Sequence, residues 1–298
     1  MSAAVEIEIE GRQLSLSNLD KVLYPNGFTK AQVIDYTARI APVAVPHLSG
    51  RALTFRRYPD GSDTPGFFEK RCPGHRPPWL EVAVGPGDRN GRIEYCRIDE
   101  TAAMVWAANM AALELHAPMA MASDLDVPRA LVFDFDPGAP AAMPECCEIA
   151  VAVREVLASV DLRGWCKTSG SKGLQMYVPL NTPEATHDAA ADFALAVGQL
   201  LERRMPGRVT TIMAKSERPG KIFVDWSQNA LHKTTIAPYS LRARPTPTVS
   251  TPVTWDEVEA AAGRTLDLTF TAKDVLERVD RHGDLFAEVL TTEQQLPL

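Results

Sequence analysis

The chain opens with alternating apolar and acidic residues, Val5, Ile7 and Ile9 against Glu6, Glu8 and Glu10, the two-residue period of a strand with one buried face. Asn18 to Pro25, with Gly27, forms a turn region. Thr29 then predicts the N-cap of a helix running to about Ile40 and closed by Pro42 and Pro46. Leu53 to Tyr58 reads as a strand, with Pro59-Asp60-Gly61 as its turn. Gly66 to Trp79, rich in proline, glycine, aromatic and basic residues, predicts a structured loop. Arg92 to Ile98 is a strand, and the alanine-rich run from about Glu100 to Leu115, with Pro118 just beyond, predicts a helix. Ala130 to Phe135 predicts a buried strand running into Pro137-Gly138, followed by a helix from about Cys146 to Val160. Trp165 to Lys167 and Leu174 to Leu180 read as strands joined by the turn Ser169 to Gly173. A helix over about Ala185 to Arg204, strands at Val209 to Met213 and Ile222 to Trp226, and a helical region after Trp255 complete the pattern. No repeat or low-complexity linker interrupts it. The alternation is too irregular for a doubly wound or barrel arrangement, so a mixed α+β fold is expected. Candidate chemistry recurs at strand ends, which points to a cleft between two sheets.

The 298 residues are 45% hydrophobic and 23% charged, ordinary globular usage. No uninterrupted apolar run approaches the ~20 residues of a membrane helix, and the N-terminus lacks the basic and apolar regions of a secretion signal. Five cysteines are an odd number and Cys146 and Cys147 are adjacent, so no disulfide framework is expected and the reducing cytoplasm is the expected location. The net charge of −7 argues against nucleic acid as a partner, but it is unevenly spread. Residues 161–250 carry 12 Lys and Arg against 7 Asp and Glu. Within them Arg208, Lys215, Arg218, Lys221, Lys233, Arg242 and Arg244 accompany Glu217 and Asp225. Such a stretch suits an anionic substrate beside a metal, and equally a solvated face with its counter-charges elsewhere.

The sharpest feature is Val132-Phe-Asp-Phe-Asp-Pro-Gly138. On a strand, Asp134 and Asp136 project to one face while Phe133 and Phe135 enter the core on the other, giving a rigid pair of oxygen ligands for Mg²⁺ or Mn²⁺. Asp225 ends the apolar strand Lys221-Ile-Phe-Val-Asp, where an acid is costly to half-bury unless paired or liganded. Three such carboxylates suit a pair of metals in phosphoryl chemistry; the alternative is an ion pair of Asp225 with Lys221 or Arg218. Thr168-Ser-Gly-Ser-Lys-Gly173 is a small-residue turn that can aim backbone N–H groups and one cation at phosphate oxygens, although it lacks Walker A spacing. Gln175 and Tyr177 follow on one strand face. His116, at the predicted helix end, suits a dipole-compensating cap or a phosphate contact. Cys72 and His75 are half of a zinc pattern with no matching second pair. Phe67 and Phe68, in a loop with Lys70, Arg71 and Arg76, suit stacking on bases or anchoring of the loop to the core.

In this order, the DFDPG, TSGSKGLQMY and KIFVDWSQN segments resemble the polymerase domain of bacterial ligase D, a member of the archaeo-eukaryotic primase superfamily that works in non-homologous end joining. NLDKVLYP, PGFFEK, RPPWL, ALELH and KTTIAPYSLR extend the resemblance over about Leu14 to Leu290. It implies a primase-like catalytic core of two mostly antiparallel sheets forming a cleft flanked by helices, with residues 6–290 as one primase-polymerase domain and 291–298 as a tail. It implies that Asp134, Asp136 and Asp225 bind the catalytic metals. His116, Ser169, Lys172, Gly173, Arg218, Gln228 and Arg242 fall in the nucleotide and triphosphate site. Lys21 and Lys30 would grip the 5′-phosphate of a downstream strand. Phe67 and Phe68 would stack on the template beside Arg56 and Arg57. The family's second motif usually ends in histidine where this chain has Gln175, which cannot become a cation, so a phosphate contact there would be weakened. The chain stops at Leu298, which leads to the expectation of a stand-alone polymerase with a separate DNA ligase as partner.

The expected activity is template-dependent nucleotide addition, preferring ribonucleotides, to primer 3′-OH ends at gaps or double-strand breaks. One metal, held by all three aspartates, would activate the 3′-OH. A second, held by Asp134 and Asp136, would accompany the triphosphate. Nucleoside triphosphates and 5′-phosphorylated DNA are the expected partners, and no membrane. Two rivals use the same residues: a two-metal nuclease, and a weakly catalytic binder of 5′-phosphorylated DNA ends. Idle clustered carboxylates repel one another, which argues against the binder.

Overall fold

The computed structural model describes residues 4–87 and 91–297. The chain forms two compact units. The first takes the chain up to Ser123 together with Thr234–Ser250 and Phe270–Gly283; the second takes Asp124–Lys233, Thr251–Thr269 and the chain from Asp284. Each carries a mostly antiparallel sheet with helices, so the mixed α+β expectation holds. Among the described residues no helix is long and apolar enough to cross a membrane.

In the first unit a four-stranded antiparallel sheet has the order Thr234–Ile236, Ala112–Pro118, Thr54–Arg57, Phe67–Glu69. The helices Lys30–Leu48 and Thr101–Asn109 pack on one another and share the core with Leu53, Phe55, Leu113 and Leu115. Thr29 caps the first helix as its sequence predicts: its hydroxyl accepts the Gln32 N–H, and the Gln32 side chain accepts the Thr29 N–H. The helix does not stop at Pro42. It runs through Pro42 and Pro46 to Leu48, because Ala41, Ala44 and Leu48 on its inner face are fully buried and that packing outweighs the hydrogen bonds the prolines remove.

Two further expectations are corrected here. The alanine-rich run ends as a helix at Asn109; Ala111 adopts φ 56°, and Ala112–Pro118 is a strand bonded on both edges, so sheet pairing overrides local helix propensity. His116 therefore lies within a strand, not at a helix C-terminus. The loop from Gly66 contains a short strand, Phe67–Glu69, paired with Thr54–Arg57. Its continuation returns beside the strand Arg92–Cys96, where the Cys72 N–H donates to the Glu94 carbonyl and Cys72 forms a disulfide with Cys96. The expectation of no disulfide thus fails for this pair, and the Cys72 sulfur is not available as a zinc ligand alongside His75.

In the second unit a six-stranded sheet has the order Val209–Thr210, Ile222–Val224, Ala130–Pro137, Leu174–Pro179, Trp165–Thr168, Pro252–Val253, with one parallel pair, Val209–Thr210 on Ile222–Val224. Register fixes the faces. Phe133 pairs with Met176 and both are fully buried; Asp134, one residue on, pairs with Gln175 and projects to the opposite side. The Phe133 and Phe135 rings stack in parallel, 6.3 Å apart, and Phe135 accepts a hydrogen bond from the Cys146 thiol on the helix Met143–Ala158. The core thus holds the aspartate strand from behind.

Candidate active site and nucleic-acid-binding groups

On the second unit's sheet, Asp134, Asp136 and Asp225 converge, with one carboxylate oxygen from each lying within 4.8 Å of the others. Backbone pairing makes the convergence: the Asp225 N–H donates to the Asp134 carbonyl at 2.9 Å, just beyond the pairing of Phe135 with Val224. Asp225 is not ion-paired with Lys221 or Arg218. Its Oδ1 accepts from the Ser227 N–H and hydroxyl, and its Oδ2 from the Gln228 amide at 3.0 Å. Gln228 thereby sits beside the cluster.

Asp134 is buried at 9% exposure, whereas Asp136 is exposed and Asp225 half-buried. Burial, then the charge of Asp136 and more weakly that of Asp225, lifts the Asp134 carboxyl to about 7, against the Gln175 hydrogen bond and the Lys167 charge. Three hard oxygen donors, with Asp134 held back from ionising by burial and by its two neighbours, fit a divalent cation, which would supply the missing positive charge.

Gln175 does not face a ligand through open space. It is buried, its Nε2 donates to Asp134 Oδ1 at 3.1 Å, and its Oε1 accepts from the Lys167 ammonium at 2.6 Å. Lysine can only donate, so it fixes the amide orientation and turns the NH₂ toward Asp134. Lys167 is fully buried and was not singled out from sequence; a lysine at an alternate position in the otherwise uncharged strand Trp165–Thr168 was the available signal.

The turn after that strand holds Ser169, Lys172 and Gly173. Ser169 Oγ accepts the N–H groups of Ser171 and Gly173, and the Lys172 side chain is exposed. At Gly173 any Cβ would overlap the Phe135 carbonyl, and at Gly138 it would overlap the Arg218 carbonyl. These close approaches seat the turn and the Arg218 segment against the aspartate strand. The Arg218 guanidinium lies 3.7 Å over the Phe223 ring and donates to the Met213 carbonyl; Phe223 is the register partner of Asp136.

On the first unit, Lys21, Lys30 and Arg57 line one cavity of about 480 Å³ with Ser17, Asn18 and His75. Lys30 donates to the Ser17 carbonyl at 2.6 Å, and burial, reinforced by the charges of Lys21 and Arg57, lowers its ammonium to about 8. Lys21 pairs with Asp60 at 3.2 Å on the surface. Phe67 and Phe68 are 45% and 59% exposed, so they do not anchor the loop in the core. Arg57 lies over Phe67 at 5.4 Å and Arg56 over Phe68 at 5.2 Å, a rigid aromatic–guanidinium surface. Phe68 also meets His116 edge-on at 5.5 Å. His116, Arg56 and Arg242 all surround Glu114, a buried carboxylate that sequence reasoning passed over.

The chain matches the family model for the LigD primase-polymerase domain over residues 29–286. The multifunctional non-homologous end joining DNA repair protein LigD of Mycobacterium tuberculosis H37Rv is 45% identical over 283 residues, which cover 92% of this chain and 36% of that protein. The bifunctional non-homologous end joining protein LigD of Bacillus subtilis is 29% identical over 287 residues, 96% of this chain and 46% of that one. The chain thus spans about a third to a half of the length of these relatives. Among solved structures, the polymerase domain of Mycobacterium tuberculosis ligase D in complex with DNA superposes with a TM-score of 0.86 at 42% identity, covering 94% of this chain and 99% of that one. The class is therefore that of the primase-polymerases, nucleotidyltransferases by chemistry. The chain belongs to the LigD primase-polymerase domain family.

Proposed function

We propose that this chain extends primer 3′-OH ends at gaps or double-strand breaks, copying a template with nucleoside triphosphates, ribonucleotides preferred, as the synthetic step of non-homologous end joining. The observation that carries the reading is the convergence of Asp134, Asp136 and Asp225 in a chain so similar to a polymerase domain bound to DNA. Residues 6–290 would act as one catalytic domain.

Asp134, Asp136 and Asp225 would hold two divalent cations, Mn²⁺ or Mg²⁺, which supply activation of the 3′-OH and charge neutralisation on the triphosphate. The primer oxygen forms a bond to the α-phosphorus, the bond to the pyrophosphate oxygen breaks, and the hydroxyl proton leaves to solvent. Gln175 keeps Asp134 oriented, and Ser227 and Gln228 do the same for Asp225. Lys172, Arg218, His116 and Arg242 would hold the triphosphate, with Ser169 and Gly173 shaping the turn that carries Lys172. Lys21 and Lys30 would take the downstream 5′-phosphate in the cavity they share, and Phe67, Phe68, Arg56 and Arg57 the templating strand. The product, a 3′-hydroxyl abutting a 5′-phosphate, must be consumed by a DNA-ligating reaction.

The test is extension of a 5′-phosphorylated gapped duplex with Mn²⁺ and ribo- or deoxyribonucleoside triphosphates. Template-directed addition is expected from the wild type and none from Asp134→Ala or Asp225→Ala, with DNA binding retained in both. Extension near wild type in either variant removes the metal assignment. Release of nucleotides from labelled DNA without triphosphates would favour a nuclease, and phosphate-dependent binding without synthesis an end-binding protein.

A further inference from the structure

Glu114 lies on the strand Ala112–Pro118 with its side chain 2% exposed, and three cationic or basic groups from three segments close around it. Its Oε2 is 3.1 Å from His116 Nε2 and 3.6 Å from the Arg56 guanidinium. Its Oε1 is 3.3 Å from Arg242 Nε and accepts the Ala243 N–H at 3.2 Å. Burial pushes this carboxyl up, but the His116 hydrogen bond, the Arg242 charge and the Ala243 N–H outweigh it and hold the group at about 2. It is therefore ionised throughout the physiological range, and an ionised carboxylate only accepts. The proton in its bond with His116 must then sit on Nε2.

We infer that Glu114 is a positioning residue for His116: it fixes the imidazole with its proton on Nε2, presents Nδ1 to the incoming anion, and supplies the counter-charge that lets Nδ1 take a proton from solvent as that anion arrives. Among the described residues Nδ1 makes no protein hydrogen bond, whereas Nε2 is committed to Glu114. The groups facing His116 pull in opposite directions, with burial prevailing and the imidazolium disfavoured. Glu114 on its own strand favours the imidazolium; Arg56 from Thr54–Arg57 and Arg242 from the segment after Thr234–Ile236 oppose it, as does burial, the largest influence. The Phe68 ring closes one edge, and Thr234–Ile236, which pairs with this strand at Ile236, adds no charged side chain. Tyr24 and Tyr58 also lie within electrostatic reach of Glu114. The resting imidazole is thus held neutral, and the added negative charge of a polyphosphate at Nδ1 would favour its protonation. Because Arg56 is stacked on Phe68, the same carboxylate also links the template-facing surface to the group proposed to touch the triphosphate.

The idea that the anion is a nucleotide triphosphate rests on the proposed function, so the experiment separates the two. The intact protein, labelled with ¹⁵N and ¹³C at histidine, is titrated by NMR from pH 5 to 9 with and without inorganic tripolyphosphate, and His116→Gln assigns the signal. In the wild type, neutral His116 is expected as the Nε2–H tautomer. In Glu114→Gln its pKa is expected to fall by at least one unit, a tenfold loss of proton affinity. A neutral Nδ1–H tautomer in the wild type, or an unchanged pKa in Glu114→Gln, overturns the inference. Should the variant fail to fold, the wild-type tautomer alone decides. Tripolyphosphate is expected to raise the His116 pKa by a unit or more. If it does not, while tautomer and variant behave as stated, the positioning role stands and the phosphate contact falls.

Discussion

Asp134 should weaken the metal-free protein at neutral pH, and Asp134→Asn should strengthen it. The carboxyl, buried beside Asp136 and Asp225, is raised from 3.8 to about 7. Between those values the folded chain keeps a proton that the unfolded chain has already released. Stability from this group is therefore complete below the unfolded value, falls as pH rises through the window, and is level above it. Each pH unit inside the window costs about 1.4 kcal/mol, so the step from pH 5 to pH 8 costs the wild type about 3 kcal/mol. Asparagine has the shape of the protonated acid, offers the same Oδ1 to the Gln175 amide, and does not titrate. The advantage of Asn over Asp should accordingly widen by about 3 kcal/mol between pH 5 and pH 8, read from urea denaturation in EDTA at both values. An advantage that stays constant or narrows refutes the reasoning, because it would mean that the carboxylates do not oppose one another in the folded chain. Adding Mn²⁺ at pH 8 should raise the stability of the wild type far more than that of the variant.

Three further outcomes follow from the same geometry. Gln175→Leu removes an amide bonded to both Lys167 and Asp134; with charge-assisted hydrogen bonds at about 1.5–3 kcal/mol each, the variant should lose about 3 kcal/mol at pH 8, and a loss under about 1 kcal/mol would show the bridge to be idle. Lys30, lowered to about 8, is charged at neutral pH and loses its charge as pH rises past that value. The preference for a 5′-phosphate over a 5′-hydroxyl duplex end, measured by fluorescence anisotropy, should shrink from pH 7 to pH 9 and be absent at both in Lys30→Ala; a preference constant with pH in the wild type counts against the cavity as the phosphate site. Gly173→Ala drives a Cβ into the Phe135 carbonyl and should cost about 2 kcal/mol or more in thermal or chemical unfolding, whereas a variant as stable as wild type would show that the turn can move off the strand.

The second unit was the more legible half of the sequence. Phe133-Asp-Phe-Asp136 has a two-residue period that assigns both faces at once, and the strands at Trp165–Thr168 and Leu174–Pro179 fall where alternation and the small-residue turn place them. The first unit was harder because, beyond the Thr29 cap, key boundaries in it carry no local mark. Between Thr101–Asn109 and Ala112–Pro118 there is no glycine or proline; the break is Ala111 at positive φ, selected by pairing with Thr54–Arg57 and Thr234–Ile236 from distant sequence. Read as a strand, Ala-Leu-Glu-Leu-His would have put Glu114 and His116 on one face and revealed their pairing. Cys72 and Cys96 are 24 residues apart, and the meeting of their segments is equally tertiary. Gln175 reads from sequence as a weakened phosphate ligand because the family's second motif carries histidine there; the buried ammonium of Lys167, arriving on the neighbouring strand, holds its amide toward Asp134.

The register of the strand Ala130–Pro137 has a consequence for how the protein matures. A slip of one residue against Leu174–Pro179 would send Phe133 and Phe135 outward and drive Asp134 and Asp136 into the core, an exchange that neither the phenylalanines nor the carboxylates could tolerate. Burial of the two rings and placement of the two acids on the opposite face are one event. A molecule stable enough to persist has, by that fact, both acids on the face opposite the phenylalanines.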